Sequence, residues 1–194
     1  MKQTPEKLAE LLLSGDSVAA WEYIHNGQSA HEIYQQLITP AMRHIGSLWE
    51  TNRISVADEH VATAVCDLVI SRLGFERKKQ AIGSPARKAA FLCLEGERHY
   101  LGLKMACQLF DEYGWDTKFF GADLPLDLAI DALKRWEPEV IGLSVTIVHN
   151  LPRLDDYINQ LLAMPHSPSV LIGSRLAGKY KLDTQHAGGR VIIL

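Results

Sequence analysis

A histidine two residues after an acidic residue stands where a short apolar run gives way to an amphipathic segment. Glu97, His99 and Gly102 form the pattern Glu-x-His-x-x-Gly at this predicted strand-to-helix turn. Ligands of open parallel sheets bind outside the carboxyl ends of the strands, so this turn places the His99 ring at the ligand-binding edge. Glu97 is near enough to hold one ring nitrogen while the other binds a ligand. The motif is short, and a surface histidine near a helix N-terminus fits it equally well.

Small and hydroxyl-bearing residues follow two later predicted strands. Ser144 and Thr146 come at the end of the third strand, and Gly173, Ser174 and Arg175 follow the fourth. Small residues leave room for an inserted ligand, and hydroxyl groups can bond to its polar edge. Serine and glycine at strand ends are also ordinary turn residues, and that is the commoner case.

A third candidate group lies in the helical first half of the chain. Trp49 closes one predicted helix, and Glu59 and His60 lie in the first turns of the next. The loop between them is short, so all three side chains can face one cavity. His60 lies one turn before Ala64, on what the sequence predicts to be the apolar side of its helix. Taken alone, His60 is more simply a buried histidine with a hydrogen-bond partner.

Composition and the remaining reactive residues exclude several classes of function. The 194 residues are 47% hydrophobic and 22% charged, which is ordinary for a globular protein. The net charge of -3 offers no broad positive field, so we expect no direct nucleic-acid partner. The sequence shows no signal-peptide core or membrane-spanning run, and its three cysteines form no Cys-x-x-Cys pair. We therefore expect a cytoplasmic protein that does not engage a membrane.

Two halves with different periodicity position these residues. Apolar residues recur at helical spacing over residues 5–74, which predicts an antiparallel four-helix bundle. The third helix is expected at 30–49 with a kink at Pro40, and the fourth runs from the N-cap Ser55 and ends before Gly74. The breaks between the predicted helices fall at residues 15–16, 26–27 and 51–52.

The second half alternates short apolar runs with amphipathic segments. This alternation predicts an α/β domain, a flavodoxin-like five-stranded parallel sheet with helices on its faces. The domain boundaries follow as a helical bundle cap at 1–75, a charged linker at 76–87 and the α/β domain at 88–194. We expect strands at 89–94, 115–120, 140–144, 170–172 and 191–194, and helices at 101–113, 126–136 and 152–164, with 175–189 less clearly helical.

Together these motifs resemble those of cobalamin-binding proteins. The Glu97 loop resembles the lower-ligand loop of cobalamin-binding domains, usually Asp-x-His-x-x-Gly, in a glutamate variant. The Ser-x-Thr and Gly-Ser pairs resemble the residues that surround the buried nucleotide tail, although Ser174 replaces the family's second glycine. Trp49, nine further residues and then Glu59-His60 are similar to the Trp-x9-Glu-His pattern of CarH-like cobalamin photoreceptors, whose apolar wall Val56 also fits.

The resemblance implies a base-off cobalamin, expected to be adenosylcobalamin, with His99 as the lower ligand of cobalt. It places Trp49, Glu59 and His60 over the upper face, and His60 becomes a second metal ligand after illumination. The implied cofactor-binding set is Trp49, Val56, Glu59, His60, Glu97, Arg98, His99, Leu101, Gly102, Ser144, Thr146, Gly173, Ser174 and Arg175.

The function implied is light sensing without enzymatic turnover. Since no winged-helix domain is expected before the bundle, the output would pass to a protein partner, a transcription regulator or signalling protein. A light-dependent homo-oligomer is compatible with this interpretation. Two alternatives remain open, a light-independent cobalamin sensor and a corrinoid methyl-carrier subunit. Carriers resemble Gly-Asp-x-His-Asp-Ile-Gly-Lys-Asn in the loop, whereas this sequence continues Tyr100-Leu101-Gly102-Leu103-Lys104 after the histidine.

Overall fold

The chain divides into two units, Met1–Arg77 and Lys78–Leu194. The computed structural model describes residues 3–25, 27–77, 86–174 and 190–193. The residues outside these ranges include most of the predicted linker, the segment 175–189 with the predicted site residue Arg175, and Leu194.

The first unit is helical and its helices begin at capping residues. Thr4, Asp16 and Ser29 each accept a hydrogen bond from the backbone N–H three residues on, which satisfies a donor that the helix itself cannot. Ser55 likewise caps the longest helix, and Asp58 bonds back to it. The helices are α1 (Pro5–Leu13), α2 (Ser17–Ile24), α3 (Ala30–Ile33), α4 (Thr39–Glu50) and α5 (Val56–Arg77).

The third predicted helix is interrupted by a π-helical turn, Tyr34–Ile38, between α3 and α4. Pro40 is the second residue after this turn and has no N–H with which to continue an α-helical ladder. The Thr39 N–H instead bonds to the Tyr34 carbonyl five residues back, as a π turn requires. The irregularity expected at Pro40 therefore takes the form of a π turn placed just before it.

The fourth predicted helix extends further than the sequence indicated. Gly74 does not end α5, which continues to Arg77. The last turn is fixed by contacts that compensate for the flexibility of glycine: Arg77 donates to the Gln28 carbonyl, and Arg72 lies 3.5 Å from Glu76. The expectation that the helix stops before Gly74 is wrong for this reason.

The second unit is a five-stranded sheet with the order β2-β1-β3-β4-β5, and all neighbouring strands are parallel. This order confirms the flavodoxin-like prediction. The strands are β1 (Lys88–Cys93), β2 (Asp116–Gly121), β3 (Val140–Ser144), β4 (Ser169–Gly173) and β5 (Val191–Ile193). The helices are α6 (Leu101–Glu112), α7 (Leu126–Trp136) and α8 (Leu151–Leu162).

Strand register brings the candidate residues to one edge. Cys93 at the end of β1 pairs with Ser144 of β3, and Ser144 pairs with Gly173 of β4. The chain leaves β1 toward β2 on one side and returns to β3 on the other, so the strand order reverses at this point. Such a switch point opens a crevice beyond the strand ends, where α/β sheets bind ligands.

The sheet packs tightly around one glycine on the α6 face. Phe91 of β1 is buried, and its ring lies over Gly142 of β3. A Cβ added at Gly142 would lie 2.5 and 2.8 Å from two carbon atoms of that ring. Contacts this short cannot persist, so the ring or a strand would have to move.

Gly142→Ala should therefore destabilise the protein by about 1–3 kcal/mol, as overpacked cores do. Gly46→Ala is the matched control, because Gly46 lies inside α4 and an added Cβ would meet nothing within 4 Å. That variant should gain about 0.5–1 kcal/mol from helix propensity. Urea unfolding of both variants checks the prediction, and equal effects of the same sign would contradict it.

Candidate functional site

The Glu97 carboxylate is the electrostatic centre of the edge beyond β1 and β3. It is 0% exposed. Its Oε1 accepts a hydrogen bond from the His99 backbone N–H at 3.0 Å and lies 2.6 Å from His99 Nδ1. Its Oε2 accepts from the Thr146 backbone N–H at 2.6 Å, the Thr146 hydroxyl at 3.0 Å and the Ile147 N–H at 3.2 Å. Both oxygens are thus fully engaged by donors from two loops.

These donors keep Glu97 ionised. Burial by itself raises the pKa of a carboxyl, because a low-dielectric surrounding disfavours the charge. The hydrogen bonds from His99 and Thr146, together with the nearby imidazole, outweigh burial and lower the pKa of Glu97 to about 2. An ionised carboxylate only accepts hydrogen bonds, so His99 Nδ1 must carry the proton that points at it.

His99 is thereby prepared to bind a metal through its other nitrogen. With Nδ1 donating to Glu97, the lone pair of the neutral ring is on Nε2. The side chain is 58% exposed, so Nε2 is accessible. A carboxylate behind a histidine is the usual arrangement for metal-binding imidazoles, because it fixes the ring and raises its basicity.

Hydroxyl groups at the end of β3 and just after it bond to the same loop. Ser144 donates to the His99 carbonyl at 3.2 Å, and the Thr146 hydroxyl lies 3.0 Å from His99 Nδ1 as well as bonding Glu97. The sequence predicted that these hydroxyls contact a ligand; the structure places them in the support of His99. Gly173 and Ser174 lie half-buried at the same edge.

Three other predicted residues, Arg98, Leu101 and Gly102, lie beside His99 in the sequence of the loop. Arg98 is exposed, and Leu101 opens α6 half-buried. Gly102 follows it, and a Cβ added there would meet nothing within 4 Å. Their predicted contacts to a cofactor stay predictions.

Two residues that the sequence analysis did not identify hold the loop in place by hydrogen bonds to its backbone. Asp123 accepts a hydrogen bond from the Gly96 N–H at 2.7 Å, and the Tyr157 hydroxyl accepts from the Glu95 N–H at 3.0 Å. Asp123 follows β2, so the rule that ligands meet strand ends could have drawn attention to it. Tyr157 lies within the apolar stripe of α8, where nothing distinguishes it from a core residue.

In the helical unit, Glu59 and His60 form a pair at the start of α5. The Thr63 hydroxyl donates to Glu59 Oε1 at 2.7 Å, and Glu59 Oε2 lies 3.1 Å from His60 Nδ1. His60 Nδ1 also lies 2.9 Å from the Val56 carbonyl, so this ring too directs its proton at acceptors through Nδ1. Trp49 at the end of α4 is 46% exposed. That Trp49 shares a cavity with the pair stays a prediction.

The expectation that His60 lies on the apolar, buried side of its helix is wrong. Its side chain is 75% exposed. Ala64 and Leu68, which share its face, are exposed as well, because the core stripe of α5 runs elsewhere on the helix. That buried stripe consists of Ala62, Val65, Cys66, Val69, Ile70 and Leu73.

The residues at this edge suit a metal ion whose cofactor already supplies most of its ligands. Within the described ranges, no group of three or more His, Cys, Asp or Glu side chains could hold a metal ion. His99 offers one neutral imidazole nitrogen, a donor that suits first-row transition metals. Asn150, only 4% exposed beside Gly96, has an Nδ2 without a partner among the described residues. A single axial nitrogen with a spare polar group nearby suits a corrin macrocycle that carries amide side chains.

The low pKa of Glu97 predicts a specific loss of stability in acid. A carboxyl whose pKa folding lowers stabilises the native state above its unfolded pKa and loses that contribution as the pH falls. From an ordinary 4.5 to about 2, the shift corresponds to about 3 kcal/mol. Glu97→Gln should thus be less stable than wild type at pH 6, and the difference should shrink between about pH 4.5 and pH 2.

Unfolding free energies at several pH values measure this difference. Glu139→Gln is the control, since Glu139 forms an exposed pair with Arg87 at 3.2 Å and surface pairs contribute at most about 1 kcal/mol. A Glu97→Gln difference that stays constant with pH would contradict the assignment.

Comparison with known proteins agrees with this geometry. Two family profiles, each described as a B12 binding domain, match residues 5–73 and residues 87–184. The HTH-type transcriptional repressor CarH of Myxococcus xanthus is 24% identical over 149 residues, which are 76% of this chain and 48% of the repressor. The chain thus spans about half the length of that relative.

The structure of the Methanosarcina barkeri monomethylamine corrinoid protein has the same fold. The TM-score is 0.72 at 14% identity, over 97% of this chain and 91% of that protein. Separately, no helix of the described residues is long and apolar enough to cross a membrane.

The two profiles together cover most of the sequence, and the histidine that could bind cobalt lies in the loop that the second profile includes. The chain therefore belongs to the B12-binding family, with a helical B12-binding domain followed by a Rossmann-like α/β B12-binding domain.

Proposed function

We propose that this protein is a light sensor that binds adenosylcobalamin and regulates a protein partner in the cytoplasm. The observation that carries the proposal is the local setting of two histidines, each within its own unit. His99 and His60 each direct Nδ1 at acceptors and leave Nε2 for a metal, and His60 stands in the Trp49, Glu59, His60 pattern. A passive carrier needs one such histidine, whereas a light sensor whose photoproduct is held by protein gains from a second.

His99 supplies the lower ligand in this proposal. Glu97 takes up the Nδ1 side of the ring, so Nε2 is the nitrogen left to bind cobalt. Ser144 fixes the His99 carbonyl, which restrains the loop that carries the ring. When bound, adenosylcobalamin supplies a cobalt–carbon bond that visible light can break.

The upper-face residues have complementary roles. The half-exposed Trp49 indole offers apolar surface on which an adenine can stack. Glu59 is an acceptor for sugar hydroxyls, held in place by Thr63. His60 keeps its Nε2 exposed and can bind the metal once the adenosyl group has gone.

Loss of the adenosyl group would signal through packing. The surface of Trp49 would lose its partner, and an unfilled apolar site favours rearrangement of the side chains around it. A light-driven change in the helical unit would then alter binding of a protein partner or of a second copy. The similarity to a transcriptional repressor supports a regulatory output.

The methyl-carrier alternative shares the fold. Fold likeness to a corrinoid protein at 14% identity does not separate the two functions, because folds host many activities. What favours sensing is the spacing of Trp49, Glu59 and His60, which is similar to the Trp-x9-Glu-His pattern of CarH-like photoreceptors.

His99→Ala should lower cobalamin affinity about 10-fold or more and remove the spectral shift that protein imidazole gives to base-off cobalamin. His149→Ala is the matched control, because His149 is an exposed histidine in the turn after β3. Titration of the cofactor-free protein with hydroxocobalamin, followed by visible absorption, measures both. An unchanged spectrum in His99→Ala would refute the ligand assignment.

His60→Ala should bind adenosylcobalamin normally in the dark but give a different spectrum after green light, because the second imidazole is missing. Trp49→Ala should weaken adenosylcobalamin binding more than hydroxocobalamin binding, since only the former carries the adenosyl group. His44→Ala, an exposed histidine of α4, is the control for the histidine variant.

The same samples distinguish a light sensor from a methyl carrier. Light scattering before and after illumination should show a change in shape or assembly of the wild type. If the illuminated wild type and His60→Ala have identical spectra, His60 lines the site but does not bind the metal. If the wild type does not change on illumination, the light-sensor proposal fails and the carrier or passive sensor replaces it.

A further inference from the structure

The outer surface of α5 carries large apolar side chains at a seven-residue spacing. Val61, Leu68 and Phe75 are 44%, 60% and 86% exposed. Ala64, which is exposed, and Ser71, which is half-buried, lie three residues after Val61 and Leu68. Seven residues make nearly two helical turns, so these side chains form a row about 21 Å long on one side of the helix. We call these five residues the outer stripe.

The outer stripe is not part of the core of the helical unit. The core residues of α5, such as Ala62, Val69 and Leu73, lie on the opposite side of the helix. Single exposed apolar residues are ordinary on a protein surface, whereas a contiguous row of them marks a binding surface. Apolar residues at positions a and d of a seven-residue repeat are the pattern of helices that pair as a coiled coil. The outer stripe follows this pattern, with its large residues at a and its small residues at d.

The sizes of the side chains allow two copies of α5 to pack closely. In a parallel coiled coil, a residue at position a inserts between neighbouring d residues of the second helix. Leu68 would therefore lie between Ala64 and Ser71 of the second copy. Both of these residues are small and leave room for the leucine side chain.

The charges that flank the outer stripe also match between two copies. Asp67 lies at position g and Arg72 at the following position e. In a parallel pair, residues at g and at the following e of the second helix lie side by side, so each Asp67 meets the Arg72 of the other copy. Arg72 lies over the Trp21 ring, but its side chain is 55% exposed and accessible to a second helix. An antiparallel pair centred on Leu68 would instead bring the two Asp67 carboxylates together, and like charges in an interface are unfavourable.

We propose that the outer stripe is a dimer interface, at which two copies of this chain pair through parallel α5 helices. The partner is a second copy because the outer stripe complements itself in size and in charge, and a two-fold axis along the helices forms every contact twice. One pair of helices covers less than the ~800 Å² per partner of a standard interface, so the dimer should be weak, with a Kd of about 10–100 µM. The inference concerns the cofactor-free chain and does not rest on the light-sensor proposal.

Sedimentation equilibrium of the cofactor-free chain measures this dimer. Leu68→Glu should raise the Kd about tenfold or more, because it places a charge at the centre of the interface. Leu128→Glu is the matched control, since Leu128 is a 56% exposed leucine of α7 in the other unit, and it should dimerise like the wild type. A wild type that stays monomeric at about 1 mM, ten times the weakest expected Kd, overturns the inference, and so do equal effects of the two variants.

A pair of charge variants tests the parallel arrangement. Asp67→Arg and Arg72→Asp should each weaken the dimer, because each places like charges beside one another in the paired helices. An equal mixture of the two should dimerise again, since each copy then supplies the charge that the other lacks. Circular dichroism verifies that each variant is folded. Folded variants whose mixture does not recover the dimer contradict the inference.

Ala64→Cys provides a second test, which changes no charge. In the parallel dimer the two new thiols face each other, and oxidation should join the copies through a disulfide. In an antiparallel pair centred on Leu68 they would lie about 12 Å apart along the axis, too far for a disulfide. Cys66, Cys93 and Cys107 are buried, and Leu128→Cys is the control for random collisions. No cross-linked dimer of Ala64→Cys, or the same yield in the control, overturns the inference.

His99→Ala separates this inference from the cobalamin site. The variant should dimerise like the wild type, because the outer stripe belongs to the helical unit and His99 to the α/β unit. Failure of the ligand assignment would leave this dimer intact. Conversely, a monomeric wild type that binds cobalamin through His99 overturns the dimer alone.

Discussion

A fully buried carboxylate is the constraint on which the ligand edge of the α/β unit depends. Burying a charge is costly unless hydrogen bonds replace its lost hydration. Glu97 obtains those bonds from its own loop and from the segment after β3. The two segments meet because Cys93 and Ser144 are in register. A shift of either strand by one residue would leave the charge without enough donors, so the register of the sheet and the ionised glutamate stabilise each other.

A carboxylate lies beside each of the two histidines, Glu97 beside His99 and Glu59 beside His60. The electrostatic effect of the carboxylate differs between the two pairs. Glu97 is buried, so solvent does not screen its effect on His99. Glu59 has a side chain that is 33% exposed, and its effect on His60 is weakened by water and salt. The carboxylate behind His99 is therefore the less screened of the two. In the light-sensor proposal, this difference suits a permanent lower ligand at His99 and a ligand at His60 that binds only after the adenosyl group has left.

Local pattern predicted most of the fold. Short apolar runs bounded by turns identified the five strands, since the central strands β1 and β3 are buried over nearly their whole length. The errors arose where tertiary contacts decide. Gly74 continues α5 because Arg77 is anchored to Gln28, and His60 is exposed because packing of the other helices selects which stripe of α5 is buried. The roles of Asp123 and Tyr157 depend on contacts between distant segments, which spacing in the sequence does not reveal.

The fold and the lower ligand do not decide what the protein does with a corrinoid. Any protein of this architecture needs a fixed tautomer at the lower histidine, whether it carries a methyl group or responds to light. A sensor needs more, because a ligand shifts a conformational equilibrium only by its difference in affinity for the two states. The adenosyl group can provide such a difference only through residues that contact it and lose that contact on its departure. In the light-sensor proposal, the exposed indole of Trp49 and the Glu59–His60 pair would be residues of this kind. The light-sensor proposal therefore makes the response depend on a large upper ligand and on residues of the helical unit.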